Sequence, residues 1–433
     1  MLIQRFGLLA LACAFLLTGN ALAASELTLD RLDPAVFTVL KAEVIKVVVL
    51  LKQPPRPLDH GTGTGAGGPD EERAIARIRA MAPQLAGTQL SMDQRIQTIR
   101  TIASQGAMGP MAREQAVSAI GQVLASTAHG ESVQRAAVLA IKEIGFGSRT
   151  APRVVAGLLR HTGNPMAIRI EAIRALRQIT GPGTEQDALE ALAGVINNTG
   201  HGDSVQHEAV DAVAAIGGDS VPAVQLLSRV LADTSRPIEV RLRTISSMLQ
   251  LRDPQAREEG VRGLTQCVLN TGHSDRVQLA AVEAIAFIGR FSMSAISAFG
   301  RVLQHTANPI DVRLSILNML AASPASNARE ALQAISNVFR NSGHADRVQI
   351  RAAQAATRLG ESAAADAVEV LALPLRGQSF DRQARIEAIR GLARIGRGQR
   401  RAEEILEAVL ADSGHADDVR RSAQDALNQL YQN

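Results

Sequence analysis

Aromatic residues are nearly absent from this 433-residue chain. It has no tryptophan and one tyrosine, and its aromatic content is only 2%, although 46% of its residues are hydrophobic. Such a low aromatic content is unusual for a single packed globule of this length, and it favours many thin helix–helix layers filled by Ala, Val, Ile and Leu. It also leaves almost no side chains on which nucleic-acid bases could stack. We therefore expect no nucleic-acid partner.

Cysteine is equally scarce, which excludes a disulfide framework. The two cysteines are Cys13 and Cys267, and Cys13 lies within an apolar N-terminal run that we expect to be removed. The mature chain then cannot form an intramolecular disulfide. Cys267 stands between the apolar residues Leu264 and Val268, which predicts a buried core position. A long helical stack can bury enough apolar surface without disulfides, even in an exported protein.

Motifs for catalysis are missing as well. There is no Gly-x-Ser-x-Gly elbow, and the glycine run at residues 61–68 is not followed by the Gly-Lys-Ser/Thr of a phosphate loop. The histidines recur in equivalent turns, whereas catalytic residues are normally unique. We therefore expect no enzyme activity, no cofactor and no bound metal.

What the chain does contain is a recurring segment. Its clearest copy is His273-Ser-Asp-Arg-Val-Gln-Leu-Ala-Ala-Val-Glu-Ala-Ile-Ala-Phe-Ile-Gly289, and successive copies begin 72, 72, 71 and 71 residues apart. The copies start at His129, His201, His273, His344 and His415. A fixed period of this kind marks a repeat protein.

Apolar residues in this segment follow helical spacing. After Val277, the residues Ala281, Ala284, Ile285 and Ile288 come 4, 7, 8 and 11 positions later. That spacing places one apolar stripe along an α-helix. Several stripe positions are alanine, which lets neighbouring helices approach closely.

Both ends of this helix carry terminal signals. Asp-x-x-Gln patterns, such as Asp203 to Gln206 and Asp275 to Gln278, predict capping boxes at the helix start. A glycine follows the last apolar residue, where a left-handed C-terminal cap is expected. These glycines are Gly145, Gly217, Gly289 and Gly360.

A second type of unit lies halfway between these copies. Three copies contain a proline four residues before an arginine, as in Asn164-Pro-Met-Ala-Ile-Arg169, and proline suits a first helical turn. The equivalent arginines are Arg95, Arg169, Arg241, Arg313 and Arg385. Interleaving the two units gives a repeat of about 36 residues, each with an outer helix, a turn and an inner helix.

The N-terminal region differs from the repeats. Residues 1–23 combine Arg5, an apolar run and a small-residue cleavage pattern at Ala21-Leu-Ala23, which predicts a secretory signal peptide. Lipidation at Cys13 is the alternative. Residues 24–52 form a Val-rich apolar segment. We expect this segment either to cap the open end of the helical stack or to provide a surface that contacts a membrane or a partner. Residues 53–69 are a Pro/Gly-rich linker, and residues 70–433 are repeats.

These features resemble the HEAT-repeat family. The pattern that carries the resemblance is Asp-x-Val-Gln/Arg-x-x-Ala-x-x-Ala-Ile-x-x-Ile-Gly together with the helix pairs, from about residue 70 to the end. The chain departs from the family in its short period and in the Gln that replaces the usual Arg in alternate repeats. The resemblance implies an all-α, right-handed α-solenoid of about ten two-helix repeats, and most such proteins are protein-binding scaffolds. Some bacterial relatives act on bilins, so a HEAT-like lyase is a further alternative.

The repeated polar turns have two interpretations. Each His-x-Asp turn, such as His201 with Asp203, could ligate a metal, but it supplies only two ligands, and equivalent turns are on the order of 20 Å apart. A structural turn is the favoured interpretation. The arginine series could bind a ligand, or each arginine could reach an acidic turn residue of a neighbouring repeat, such as Asp203 or Asp275. The internal ladder is favoured.

These observations predict an exported, periplasmic scaffold that binds another protein along one face and has no stable transmembrane span. The best candidate contact residues occupy one equivalent position on the inner helices, and they are Arg135, His207, Leu279, Ile350 and Arg421. The alternative is binding to an anionic envelope polymer or membrane surface through a C-terminal arginine cluster. That cluster comprises Arg382, Arg385, Arg390, Arg394, Arg397, Arg400 and Arg401.

Overall fold

The computed structural model describes residues 68–86, 89–126, 129–218 and 220–432. In these ranges the chain is helical and contains no strand, with twenty α-helices in ten pairs. The helices are α1 (Pro69–Ala86), α2 (Met92–Gly106), α3 (Pro110–Leu124), α4 (Glu131–Ile144), α5 (Ala151–Leu159), α6 (Met166–Ile179), α7 (Glu185–Asn197), α8 (Asp203–Gly217), α9 (Val221–Ala232), α10 (Ile238–Met248), α11 (Pro254–Leu269), α12 (Asp275–Gly289), α13 (Met293–Leu303), α14 (Ile310–Ala321), α15 (Ala328–Ser336), α16 (Asp346–Leu359), α17 (Ala364–Ala372), α18 (Arg382–Ile395), α19 (Arg400–Ala411) and α20 (Asp417–Tyr431). The predicted all-α class and the number of repeats are confirmed.

The helices form two layers. Each even-numbered helix packs beside the next even-numbered helix, and most odd-numbered helices pack in the same way within their own layer. Paired helices such as α11 and α12 join the two layers. Among the helices that the structure describes, those that pack closely are never more than two places apart in the sequence. This nearest-neighbour packing is that of an α-solenoid.

The predicted apolar stripe forms the contact between the layers. Val277, Ala281, Ala284, Ile285 and Ile288 of α12 are all at most 4% exposed. Alanine at two of these positions reduces the distance between helix axes, while the branched residues fill the remaining space. Burial of this stripe in every repeat is the main source of stability that the sequence provides.

The helix-terminal glycines serve packing and not a left-handed turn, so that prediction was wrong. Gly145 and Gly360 have φ values of −76° and −60°, and Gly217 and Gly289 lie inside their helices. A Cβ atom on Gly217 would stand 2.6 Å from the Cβ of Ala223, at the start of the next helix. The glycine is therefore required because the following helix crosses directly against it.

The predicted Asp-x-x-Gln capping boxes were also wrong. Asp203 and Asp275 are the first residues of α8 and α12, and neither helix has a side-chain cap bond. The glutamines turn inward instead: Gln278 is fully buried, and its Nε2 donates to the carbonyl of Asn270 at 3.0 Å. Gln349 likewise donates to the carbonyl of His344 at 2.7 Å. A buried backbone carbonyl needs a donor more than an exposed helix start needs a cap.

The predicted signal peptide, apolar segment and most of the linker lie in residues 1–67, outside the described residues. Residues 66–433 form one compact unit. Within the described part of the chain, no helix has the length and apolar character needed to cross a membrane.

Glu71 of α1 caps the start of α3 from outside that helix. It is 5% exposed, and its Oε1 accepts from the backbone N–H groups of Met111 at 2.7 Å and Ala112 at 3.1 Å. We expect Glu71→Ala to lower the free energy of unfolding by about 2 kcal/mol, because two donors lose a charged acceptor. The matched control is Glu72→Ala, which removes an exposed carboxylate. Hydrogen exchange at Met111 and Ala112 should accelerate only in the first variant, and equal exchange in both would contradict the assignment.

Candidate protein-binding surface

The predicted arginine ladder exists, but its partners are histidines. The Nη1 atoms of Arg95, Arg169, Arg241, Arg313 and Arg385 lie 3.3, 2.9, 2.5, 2.6 and 2.9 Å from the Nδ1 atoms of His129, His201, His273, His344 and His415, respectively. The expected partners Asp203 and Asp275 are exposed and do not take part. Since Nδ1 accepts from arginine, the imidazole is the Nε2–H tautomer. Each pair joins one even-numbered helix to the turn before the next.

The histidines of the ladder are buried, with exposures of 2% to 7%. Burial, and then the adjacent arginine, lower the pKa values of His129, His201, His273 and His344. For His344 the pKa falls to about 4. Both causes favour the neutral ring, which is the form that can accept from arginine. The ladder is therefore a set of structural bonds between repeats.

The His-x-Asp turns do not assemble a metal site in the part of the chain that the structure describes. No group of three or more His, Cys, Asp or Glu side chains in that part could hold a metal ion. In each turn the histidine faces inward to an arginine, while the aspartate faces solvent at the start of the next helix. The histidine of each turn thus contributes to the core, whereas the aspartate lies at the surface.

The candidate contact residues lie on the surface of the even-numbered helices. Arg135 and Arg421 are exposed, whereas His207, Leu279 and Ile350 are half-buried. Four of them directly follow the buried Gln of their helices, and Arg421 follows the half-buried Arg420. The intervening helices have residues at the same position that our sequence reasoning missed. These are Ile96, Ile170, Leu242 and Leu314, which are half-buried, and Ile386, which is buried.

Together these ten residues form what we call the central row. Since the even-numbered helices pack side by side, equivalent positions follow one another across the layer. Seven of the ten are Ile or Leu, so the row is mainly apolar. The signal in the sequence was the residue immediately after each ladder arginine, and an alignment of the two unit types would have found it.

A groove opens along part of the central row. It has a volume of about 560 Å³, and its lining includes Ile170, His207 and Leu242 from three successive even-numbered helices. The Nε2 atom of His207 is buried there without a hydrogen-bond partner. The groove is thus lined mainly by polar and charged side chains, with Ile170 and Leu242 as its two apolar residues and with one buried polar atom that lacks a partner.

Ion pairs between neighbouring helices line the groove. Arg174 of α6 pairs with Glu208 of α8 at 3.2 Å, and Arg276 of α12 pairs with Glu239 of α10 at 2.8 Å. Arg243 of α10 pairs with Asp211 of α8. These pairs hold adjacent helices in register and supply a polar rim beside the apolar row. Because they are partly exposed, each contributes little to stability.

Most of the C-terminal arginine cluster is neutralised by carboxylates. Arg385 is buried in the ladder, and Arg397 is exposed. The remaining five form ion pairs: Arg382 with Asp418, Arg390 with Glu387, Arg394 with Glu361, Arg400 with Glu404, and Arg401 with Glu369 and Glu404. Sequence reasoning missed the partners of Arg394 and Arg401 because Glu361 and Glu369 come from an earlier repeat. An anionic surface would have to compete with these acids.

Cys267 is buried as predicted, at 1% exposure. Burial raises the pKa of its thiol to about 12. Since the thiolate is the reactive form, this cysteine is not a nucleophile near neutral pH.

No protein-family model and no curated protein matches this chain. Among solved structures, it is similar to a homology model of the full-length AP-3 complex, with 12% identity over 84% of this chain and 82% of that one and a TM-score of 0.38. It is also similar to human deoxyhypusine hydroxylase, with 16% identity, 66% and 97% coverage and a TM-score of 0.28. Kap95p gives 10% identity, 91% and 66% coverage and a TM-score of 0.26. These values establish neither a family nor a function for this chain.

Proposed function

We propose that this protein is an exported, non-catalytic scaffold that binds another protein across the even-numbered helices. The observation that carries the proposal is the central row, a line of mainly apolar side chains with charged residues beside it. Apolar centres with polar rims are typical of protein interfaces. The residues that recur in every repeat build the solenoid, so the surface beside them remains for recognition.

The charge pattern favours this function over binding to an anionic polymer or membrane. The C-terminal arginines that would carry such binding already have carboxylate partners, as described above. In contrast, Ile170 and Leu242 of the central row are half-buried and line the groove, where a partner's apolar side chain could contact them. Export to the periplasm is part of the proposal and rests on the signal-peptide pattern in residues 1–23.

Site-specific photo-crosslinking tests the proposal. We expect a photo-reactive amino acid in place of Leu242 to crosslink one partner protein in the native envelope. The matched control is the same amino acid in place of Glu190, which is exposed on α7 in the other layer. A second substitution, Ile170→Asp, should reduce crosslinking from position 242 at least about tenfold, since it places a charge in the apolar row.

Circular dichroism should show the same helix content in every variant at the temperature of the crosslinking experiment, which separates loss of binding from loss of folding. Crosslinking of the same proteins from positions 242 and 190 with equal yield would contradict the proposal. So would unchanged crosslinking in the Ile170→Asp background.

A further inference from the structure

The first residues of the even-numbered helices form a second line, which we call the outer row. In chain order it consists of Met92, Glu131, Met166, Asp203, Ile238, Asp275, Ile310, Asp346, Arg382 and Asp417. Apolar and acidic residues alternate over the first eight even-numbered helices. Each residue lies one helical turn before a member of the central row, on the same side of its helix. The outer row therefore borders the central row throughout.

Both kinds of side chain in this row are exposed. Met92 and Met166 are 53% exposed, and Ile238 and Ile310 are 40% and 38% exposed. The acidic residues are exposed too. Single exposed apolar residues are ordinary, but here they recur at one register position in alternate repeats.

The fold does not use the acidic residues as caps. Helices α4, α8, α12 and α16 have no side-chain cap bond. Within the part of the chain that the structure describes, the side chains of Glu131, Asp203, Asp275 and Asp346 form no ion pair and no hydrogen bond. An acid favours a helix start by only about 0.3–1 kcal/mol, and alternate helices start with Met or Ile instead. These carboxylates are available to an external cation.

The distance between successive residues of the outer row matches the repeat of an extended partner segment. Packed helix axes are about 8–10 Å apart. A polyproline-II segment has three residues per turn and rises about 3.1 Å per residue, so every third residue faces the same way at about 9 Å intervals. Such a segment would place one side chain on each even-numbered helix. Its residues would alternate between apolar and basic to match the outer row.

A second feature favours an extended segment over a helix. Helices α4, α6, α8, α10, α12, α14 and α16 all begin without a side-chain cap bond. The third N–H of several of these helices, such as that of Val277, donates to a backbone carbonyl of the preceding turn, and the first two N–H groups lack side-chain acceptors. An extended chain has free carbonyl oxygens for these donors, whereas a helix uses its carbonyls internally.

We propose that the partner contributes an extended segment that runs across the even-numbered helices and presents apolar and basic side chains alternately at every third residue. This inference rests on the proposed protein-binding function and names the chemistry of the partner. The apolar side chains would contact Met166, Ile238 and Ile310, and the basic ones would pair with the carboxylates between them.

Synthetic peptides test the register. The probe is an 18-residue peptide with the sequence Leu-Ser-Pro-Lys-Ser-Pro repeated three times, and its binding to the full chain is measured by fluorescence anisotropy. One control peptide spaces Leu and Lys four residues apart, and another replaces Lys by Glu. We expect the first peptide to bind at least about tenfold more tightly than either control, with an affinity that falls as salt is raised.

Two sets of variants locate the binding. The triple variant Asp203→Asn, Asp275→Asn and Asp346→Asn should lose about tenfold in affinity and most of its salt dependence. Met166→Ser with Ile238→Ser and Ile310→Ser should also lose about tenfold. The matched control is Met111→Ser with Met293→Ser, two exposed apolar residues on odd-numbered helices, which should bind as the unchanged protein does.

The inference is overturned if the registered peptide fails to bind, if the four-residue spacing binds equally well, or if the outer-row variants keep full affinity. In those cases crosslinking from position 242 would still support the proposed protein-binding function, and only the inferred chemistry of the partner would be wrong. If crosslinking from position 242 also fails, the proposed function itself falls.

Discussion

Replacing Arg169 by methionine should destabilise the repeats around it by about 3–5 kcal/mol. The side chain is 7% exposed. Its Nε donates to the carbonyl of Asn164 at 2.9 Å, and its Nη1 lies 2.9 Å from Nδ1 of His201 and 3.0 Å from the His201 carbonyl. Methionine fills most of the volume of the arginine side chain. It leaves three buried acceptors without this donor, namely the Asn164 carbonyl, the His201 carbonyl and Nδ1 of His201. The measurement is urea unfolding, with hydrogen exchange to localise the loss to α6–α8.

The matched control for this prediction is Arg174→Met on the same helix. That arginine is 52% exposed and pairs with Glu208 at the surface, so its loss should cost less than about 1 kcal/mol. The double variant of Arg169→Met with His201→Leu should cost less than the sum of its single variants, because fewer acceptors remain unsatisfied. Similar losses for Arg169→Met and Arg174→Met would show that the ladder is not a structural element.

Acidification from pH 6.5 to about 4 should destabilise the fold through the ladder histidines. His344 has a pKa of about 4 in the folded chain, below its ordinary value of 6.5. The unfolded chain therefore takes up a proton first, and the stabilisation present above pH 6.5 is lost as pH falls through the folded pKa. For His344 alone this amounts to about 3 kcal/mol. His129, His201 and His273 have lowered pKa values and add losses in the same direction.

The control is His344→Gln, which keeps an acceptor for Arg313 but cannot be protonated. Acid also protonates carboxylates in the surface ion pairs, so the informative quantity is the difference between the two proteins. We expect the unchanged protein to be more stable at pH 7 and its advantage to shrink by pH 4, as measured by the thermal midpoint. A constant difference across this pH range would refute the role assigned to His344.

The ladder also supports the candidate surface. Arg169 and Ile170 are neighbours in the chain, and so are Gln206 and His207. The first member of each pair is buried and bonded between helices, while the second lines the groove. A ladder bond thus fixes the rotation of its helix and thereby the direction of the adjacent contact residue. Variants of the ladder should weaken partner binding only through this loss of order.

Some parts of the site could be predicted from the sequence, and some could not. The position of His207, Leu279 and Ile350 on one face follows from helical period, because every helix turns through the same angle per residue. The partner of Arg241 could not be predicted, because Asp275 and His273 lie two residues apart and both could accept from a guanidinium. Only the packed turn shows which of them faces inward. The structure places His273 there, with an exposure of 4%.

By itself, the sequence determined the all-helical class, the number of repeats and the stripe that buries the core, because these depend on a local period that every copy repeats. The tertiary structure decided which polar atoms meet. It paired each ladder arginine with histidine, turned the glutamines toward backbone carbonyls and matched Arg382, Arg394 and Arg401 with acids from neighbouring repeats. Such pairings depend on which groups are brought together when the helices of neighbouring repeats pack, and no pattern within a single helix contains that information.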